Sequence, residues 1–149
     1  TRTGWKPLES ALKRQELKWQ LKKALINHYQ VKMFMDSYKL IQLAAEACDD
    51  KKGINIKLIN IDKVSSLADW ILIAEGLSIV QVKSIAKNVE DRIKESTDLL
   101  PLRKEGLNEG KWALLDYGDI LINVFTSEER VFYDLEGFWS NGTITSYQS

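Results

Sequence analysis

Residues 112–139 read WALLDYGDILINVFTSEERVFYDLEGFW, and the order of elements in this run decides the fold. Trp112 to Asp116 is short and mostly apolar, as a buried strand is. Gly118, between Tyr117 and Asp119, stands where a reversing chain needs positive φ. Ile120 to Phe125 is rich in β-formers. Thr126 and Glu129 have the T-x-x-E spacing of a capping box, which opens a helix. The run is therefore strand, tight turn, strand, helix.

Working outward, Asp69 to Ala74 (DWILIA) is a nearly continuous apolar strand, expected at the centre of a sheet with both faces covered. Ile54, Ile56 and Leu58 alternate, so Ile54 to Ile61 is a second strand. A helix from Ser37 to about Lys51 precedes it, with Leu40, Ile41, Ala44, Ala45 and Cys48 on its apolar face and Gly53 as its C-cap. Ser78 and Gln81 make a second capping box, for a helix from Ile79 to about Glu95 with Val82, Ile85, Ala86, Val89 and Ile93 inward. Pro101 makes Leu99 to Arg103 an edge strand or an extended loop. Residues 8–35 read as a long helix with two apolar stripes, one through Leu17, Leu21 and His28, the other through Leu12, Trp19 and Ile26. Lys13, Arg14, Lys18, Lys22 and Lys23 lie between them.

The expected architecture is α/β (α+β): a mixed sheet of roughly five strands flanked by helices. Residues 1–36 form a basic helical extension, 37–140 the α/β domain and 141–149 a polar, flexible tail.

The net charge of zero hides an asymmetry. Residues 1–36 hold eight Lys or Arg against three Asp or Glu, so +5; residues 37–149 hold thirteen against eighteen, so −5. An acidic body disfavours nucleic acid as its main partner and fits a basic protein. The basic arm suits RNA, a neighbouring chain or solvent. A single cysteine, Cys48, makes an intrachain disulfide impossible, which suits a reducing compartment. No run of 18 apolar residues occurs. The first residue is Thr1, which leaves room for an upstream targeting peptide and hence for either a bacterial cytoplasmic or an organellar setting.

Catalytic machinery is sparse. His28 is the only histidine, and with one cysteine it excludes Cys/His zinc sites within one chain. Neither a P-loop nor G-x-G-x-x-G occurs. Asp69, Asp116 and Asp119 near strand ends are the best enzymatic candidates, as Mg²⁺ ligands for nucleotidyl transfer. The competing reading is that Asp116 and Asp119 make turn hydrogen bonds.

Five stretches carry a likeness: Asp50-Lys-Lys-Gly-Ile-Asn-Ile; Ser65-Ser-Leu-Ala-Asp-Trp; Glu75-Gly-Leu-Ser; Glu105-Gly with Trp112-Ala-Leu-Leu-Asp-Tyr-Gly-Asp; and Arg130-Val-Phe-Tyr-Asp-Leu-Glu with Trp139. In this order and spacing the chain resembles the ribosomal silencing factor (Iojap-like) family from about Tyr38 to Ser140. The resemblance implies a nucleotidyltransferase-like topology without its catalytic site, no cofactor, and a translational repressor. Such a repressor binds protein fourteen of the large ribosomal subunit and blocks joining of the small subunit under nutrient limitation. It also implies a possible homodimer and, in organelles, a role in large-subunit assembly. On this reading the partner-binding anchors are Trp70, Trp112, Tyr117, Tyr133 and Trp139, while Asp69, Asp116, Asp119 and Glu136 pair with partner Lys or Arg. Three departures stand out. Ile122-Asn123 replaces the family's common Val-His, so Asn123, also taken as a partner-binding residue, can hydrogen-bond but cannot act as a base. Glu75 replaces the usual Ser or Thr before Gly76, and residues 1–36 have no counterpart in the common core.

Overall fold

The computed structural model describes the backbone of residues 6–149 and the side chains of 13–18, 20–22 and 37–149. The chain divides into two compact units, Thr1–Met35 and Asp36–Ser149. Helix α1, Lys6–Asp50, is continuous where the sequence predicts two helices. No Gly or Pro lies between Leu8 and Asp50 to interrupt it. In the first unit, Leu17 and Leu21 are exposed, as are Lys13, Arg14, Lys18 and Lys22. The other stripe residues, with His28, Trp19 and Lys23, lie outside the described side chains.

In the second unit the order continues β1 Ile54–Asn60, β2 Trp70–Gly76, α2 Ile79–Thr97, β3 Arg103–Glu105, β4 Trp112–Asp116, β5 Ile120–Thr126, α3 Ser127–Tyr133, α4 Leu135–Phe138 and β6 Thr143–Ser146. One mixed sheet runs β3-β4-β5-β2-β1-β6. Strands β2 and β5 are parallel, and every other neighbouring pair is antiparallel. The sheet thus has six strands, not five. The additional one, β6, comes from the segment expected to be a flexible tail. It pairs with β1 through Ile144↔Ile59, and the Tyr147 amide donates to the Ile56 carbonyl at 2.9 Å. Its Thr-Ile-Thr-Ser sequence suits a strand, and its pairing covers an edge that β1 would otherwise leave open.

Side-chain alternation sets the two faces. Leu72, Ala74, Ile122, Val124, Ala113 and Leu115 point to one face and are buried. Helix α2 covers that face with the five inward residues the sequence predicts. The last turns of α1 are tied to α2: Asn88 Nδ2 donates to the Ala47 carbonyl (2.8 Å), and Arg92 forms ion pairs with Glu46 and Asp50. The opposite face holds Ile59, Ile71, Ile73 and Phe125, with Trp112, Leu121, Leu135 and Trp139 packed against it. This is the face crossed by α3 and α4.

Local chemistry explains the element ends. The Gly53 amide donates to the Cys48 carbonyl and the Lys52 amide to the Asp49 carbonyl, a Schellman arrangement. The left-handed residue is Lys52 (φ 63°), not Gly53 as the sequence suggests. Gly53 is needed because a Cβ would press on the Cys48 carbonyl. The Ser78 cap forms: its Oγ accepts from the Gln81 amide (3.1 Å), and Gln81 Oε1 accepts from the Leu77 amide (2.7 Å). The Thr126 cap does not. Thr126 occupies the N-cap position without a side-chain cap bond. Glu75 recruits the neighbouring hydroxyl instead, with Ser127 Oγ donating to Glu75 Oε2 at 2.6 Å. The expected single last helix breaks at Asp134 (φ 45°), whose carboxylate accepts from the Gly137 amide to start α4.

Candidate partner-binding surface

The predicted site residues fall into two groups. Asp69, Trp70, Asp116, Tyr117 and Asp119 gather where β2 begins beside the β4–β5 turn. The Asp69 and Trp70 amides both donate to the Asp119 carbonyl, at 2.8 and 3.2 Å. Asp116 Oδ1 accepts from the Gly118 amide at 2.8 Å, and Gly118 has φ 87°, as the turn requires. Asp116 also faces Arg103 at 3.6 Å. The turn reading of Asp116 is therefore the one the geometry follows. Among the described residues, no group of three or more His, Cys, Asp or Glu side chains is placed to hold a metal ion.

Two of the ten predicted partner contacts, Tyr117 and Asn123, are buried. Tyr117 is 6% exposed, and its hydroxyl finds no hydrogen-bond partner among the described residues. Burial, with the nearby charge of Glu90, pushes that hydroxyl's pKa up. Asn123 is 3% exposed. Its Oδ1 accepts from Trp112 Nε1 at 2.9 Å, and its Nδ2 donates to the Leu72 carbonyl at 3.4 Å. It orients an indole inside the fold. Trp70 is half-buried against Tyr38, with ring centroids 5.6 Å apart.

Asp69 has a raised pKa, first through partial burial and then through Asp119 and Asp62. The folded state therefore binds this proton more tightly than the unfolded chain. The associated stability is fully present below the unfolded pKa and is lost as pH rises through the folded value. At neutral pH the ionised Asp69 is a net cost. Asp69→Asn should raise Tm at pH 7, and this advantage should shrink as pH falls through the carboxylate range. Melting curves of both proteins across that range read the effect, and a lower Tm for the variant at pH 7 would contradict it.

The second group lies around α3 and α4. The Trp112 ring stacks on Phe125 (4.9 Å) and meets Tyr133 (4.6 Å). Trp139 packs half-buried on the sheet, with Phe138 edge-on at 5.0 Å. Glu136 accepts from Arg130 Nε at 2.9 Å.

The sequence reading missed what flanks these residues. Val131, Phe132 and Phe138 are 80%, 79% and 73% exposed. Leu77 and Val80 are also exposed, at the start of α2. Because β2 and β5 are parallel, with Gly76↔Thr126, α2 and α3 begin at the same end of the sheet. A signal for this surface was present: Val131-Phe132-Tyr133 are consecutive, and three residues turning about 100° each cannot all face the core of one helix. Beneath them Arg130 is buried against Glu75, Nη1 to Oε1 at 3.4 Å.

Comparison with known proteins bears on this arrangement. The family model described as "Ribosomal silencing factor during starvation" matches residues 35–148. The ribosomal silencing factor of Bacillus subtilis is 34% identical over 110 residues, covering 74% of this chain and 92% of that protein. The one from Zymomonas mobilis is 40% identical over 107 residues, covering 72% and 80%. A crystal structure of a Chromobacterium violaceum protein superposes with a TM-score of 0.67 at 31% identity, covering 75% of this chain and 92% of that one. With the fold and the matched span in agreement, the chain belongs to the ribosomal silencing factor (Iojap-like) family, a group of non-catalytic regulators of translation.

Proposed function

We propose that this chain binds protein fourteen of the large ribosomal subunit and represses translation by occupying the face where the small subunit docks. No bond is made or broken in this mechanism; a domain seated there excludes the other subunit by volume. The observation that carries the reading is the solvent-facing apolar surface of α3 and α4, Val131, Phe132 and Phe138, beside the Trp112–Tyr133 pair. Exposed apolar groups clustered next to fixed aromatics are the usual anchors of a protein interface. The −5 charge of residues 37–149 complements a basic ribosomal protein and would speed encounter. Glu136 and the acidic residues at the β2 end would pair with partner cations at the rim.

Co-sedimentation with isolated large subunits, with small subunits added last, tests this. Phe132→Ala with Val131→Ser should leave the melting temperature near wild type, because both side chains are exposed. Large-subunit affinity should fall by about tenfold or more. Unchanged binding and unchanged subunit joining would sink the reading.

The exposed basic residues of α1, Lys13, Arg14, Lys18 and Lys22, support a second reading, an assembly factor whose arm holds ribosomal RNA. Replacing them with Gln would then flatten the salt dependence of subunit binding. Exposed Leu17 and Leu21 leave a homodimer as a further proposal, read by sedimentation velocity of the chain alone.

A further inference from the structure

A cleft of about 430 Å³ opens where the β3–β4 connection meets α3. Its lining includes the carboxylates of Glu105, Glu109 and Glu129, the rings of Trp112 and Tyr133, and one cation, Lys111. Glu105 is partnered by Arg103 at 3.5 Å, whereas neither Glu109 nor Glu129 has an ion pair among the described residues. The aromatic wall is fixed before any guest arrives. Trp112 is held by its bond to Asn123 and by Phe125, and Tyr133 lies against it while remaining 45% exposed. The connection is also held. Gly106 and Gly110 both take left-handed φ, 73° and 71°, and the Gly110 amide donates to the Gly106 carbonyl at 3.0 Å. A Cβ on Gly106 would overlap the Trp112 carbonyl oxygen, so the backbone can close in this way only around glycine.

We propose that this cleft is a docking subsite for an arginine side chain presented by a basic protein segment. Carboxylates around an aromatic wall match the two ways a guanidinium is recognised, by paired N–H donation to carboxylate and by contact with a π surface. The volume admits one extended arginine with its backbone. Three carboxylates against one lysine repel phosphate, so the occupant is protein and not RNA. The cleft adjoins the α3–α4 surface through Tyr133, so one basic partner can fill both. Its use on the ribosome rests on the function proposed above; its guanidinium chemistry does not.

The test has two arms. First, the full ¹⁵N-labelled chain is titrated with acetyl-Gly-Arg-Gly-amide and, separately, with the same tripeptide carrying citrulline, which is isosteric and uncharged. Saturable shifts at the Trp112 indole N–H and the Gly110 amide are expected with the arginine peptide only. Glu109→Gln with Glu129→Gln should weaken that binding by about tenfold. These isosteric changes at unpaired carboxylates leave the core intact, which a melting curve verifies. No saturable shift at Trp112, equal shifts with citrulline, or full affinity in the double variant would each overturn the proposal. Second, the double variant is sedimented with large subunits. Weaker binding than wild type supports the cleft, and unchanged binding removes it from the interface. If the wild-type chain does not bind large subunits while the arginine peptide does bind, the ribosomal function falls and the cleft stands.

Discussion

Arg130→Ala should cost about 3–5 kcal/mol of folding stability, read from urea unfolding. The Arg130 and Glu75 side chains are only 8% and 10% exposed. Glu75 receives Ser127 Oγ on one oxygen and Arg130 on the other, and Arg130 reaches onward to Glu136. Removing the guanidinium leaves a buried carboxylate whose only remaining side-chain partner among the described residues is a neutral hydroxyl. The cost is that of an uncompensated charge, not the net worth of the pair. The comparison that isolates this is Arg130→Met combined with Glu75→Gln, which removes both charges. It should recover most of the loss. If Arg130→Ala alone cost less than about 1 kcal/mol, the cluster would have no part in holding α3 to the sheet. On the function proposed above, the same substitution should also weaken large-subunit binding, because Val131 and Phe132 follow Arg130 directly on the helix it holds.

Phe125→Ala should cost a comparable amount, about 3–5 kcal/mol, by a different route. Phe125 is 1% exposed, at the centre of the face that α3 and α4 cover. It carries the Trp112 ring at 4.9 Å and lies 6.4 Å from Tyr133, so truncation opens a cavity beneath both. Two readouts separate packing from position. Thermal melting gives the stability loss, and tryptophan emission should shift to the red as the indole of Trp112 gains water. Phe125→Leu keeps most of the volume and should cost less than about 1.5 kcal/mol. If Phe125→Ala melted like wild type, the aromatic stack would not be part of the core.

The departures from the family pattern acquire physical reasons in the structure. Asn123 supplies the buried acceptor that fixes the Trp112 indole. Glu75 neutralises a buried arginine and binds Ser127. Neither role is visible from spacing, because Asn123 lies eleven positions from Trp112 and Glu75 fifty-five from Arg130. The capping expectation at Thr126 fails, and the long-range bond at this helix start is made by Ser127, whose hydroxyl donates to a carboxylate from β2. Strand β6 was not legible in the polar tail because four residues carry no periodicity long enough to read, and only the open edge of β1 makes them a strand.

What the sequence determined by itself is what depends on neighbours along the chain. The 3.6-residue stripe of α2, the unbroken apolar run of β2, the Gly118 turn and the Ser78 cap each follow from residues a few positions apart. The ordered motifs carried family membership. Only the tertiary structure decided which aromatics are exposed and which are core. Trp112, Tyr117, Tyr133 and Trp139 are all aromatic in the sequence, yet packing buries Tyr117, pins Trp112 and leaves Tyr133 about half exposed against it. Tertiary packing also set Val131, Phe132 and Phe138 outward and brought Glu105, Glu109 and Glu129 to one cleft. The physical reason is that exposure and charge proximity depend on contacts between distant segments, which burial of the sheet's two faces imposes together.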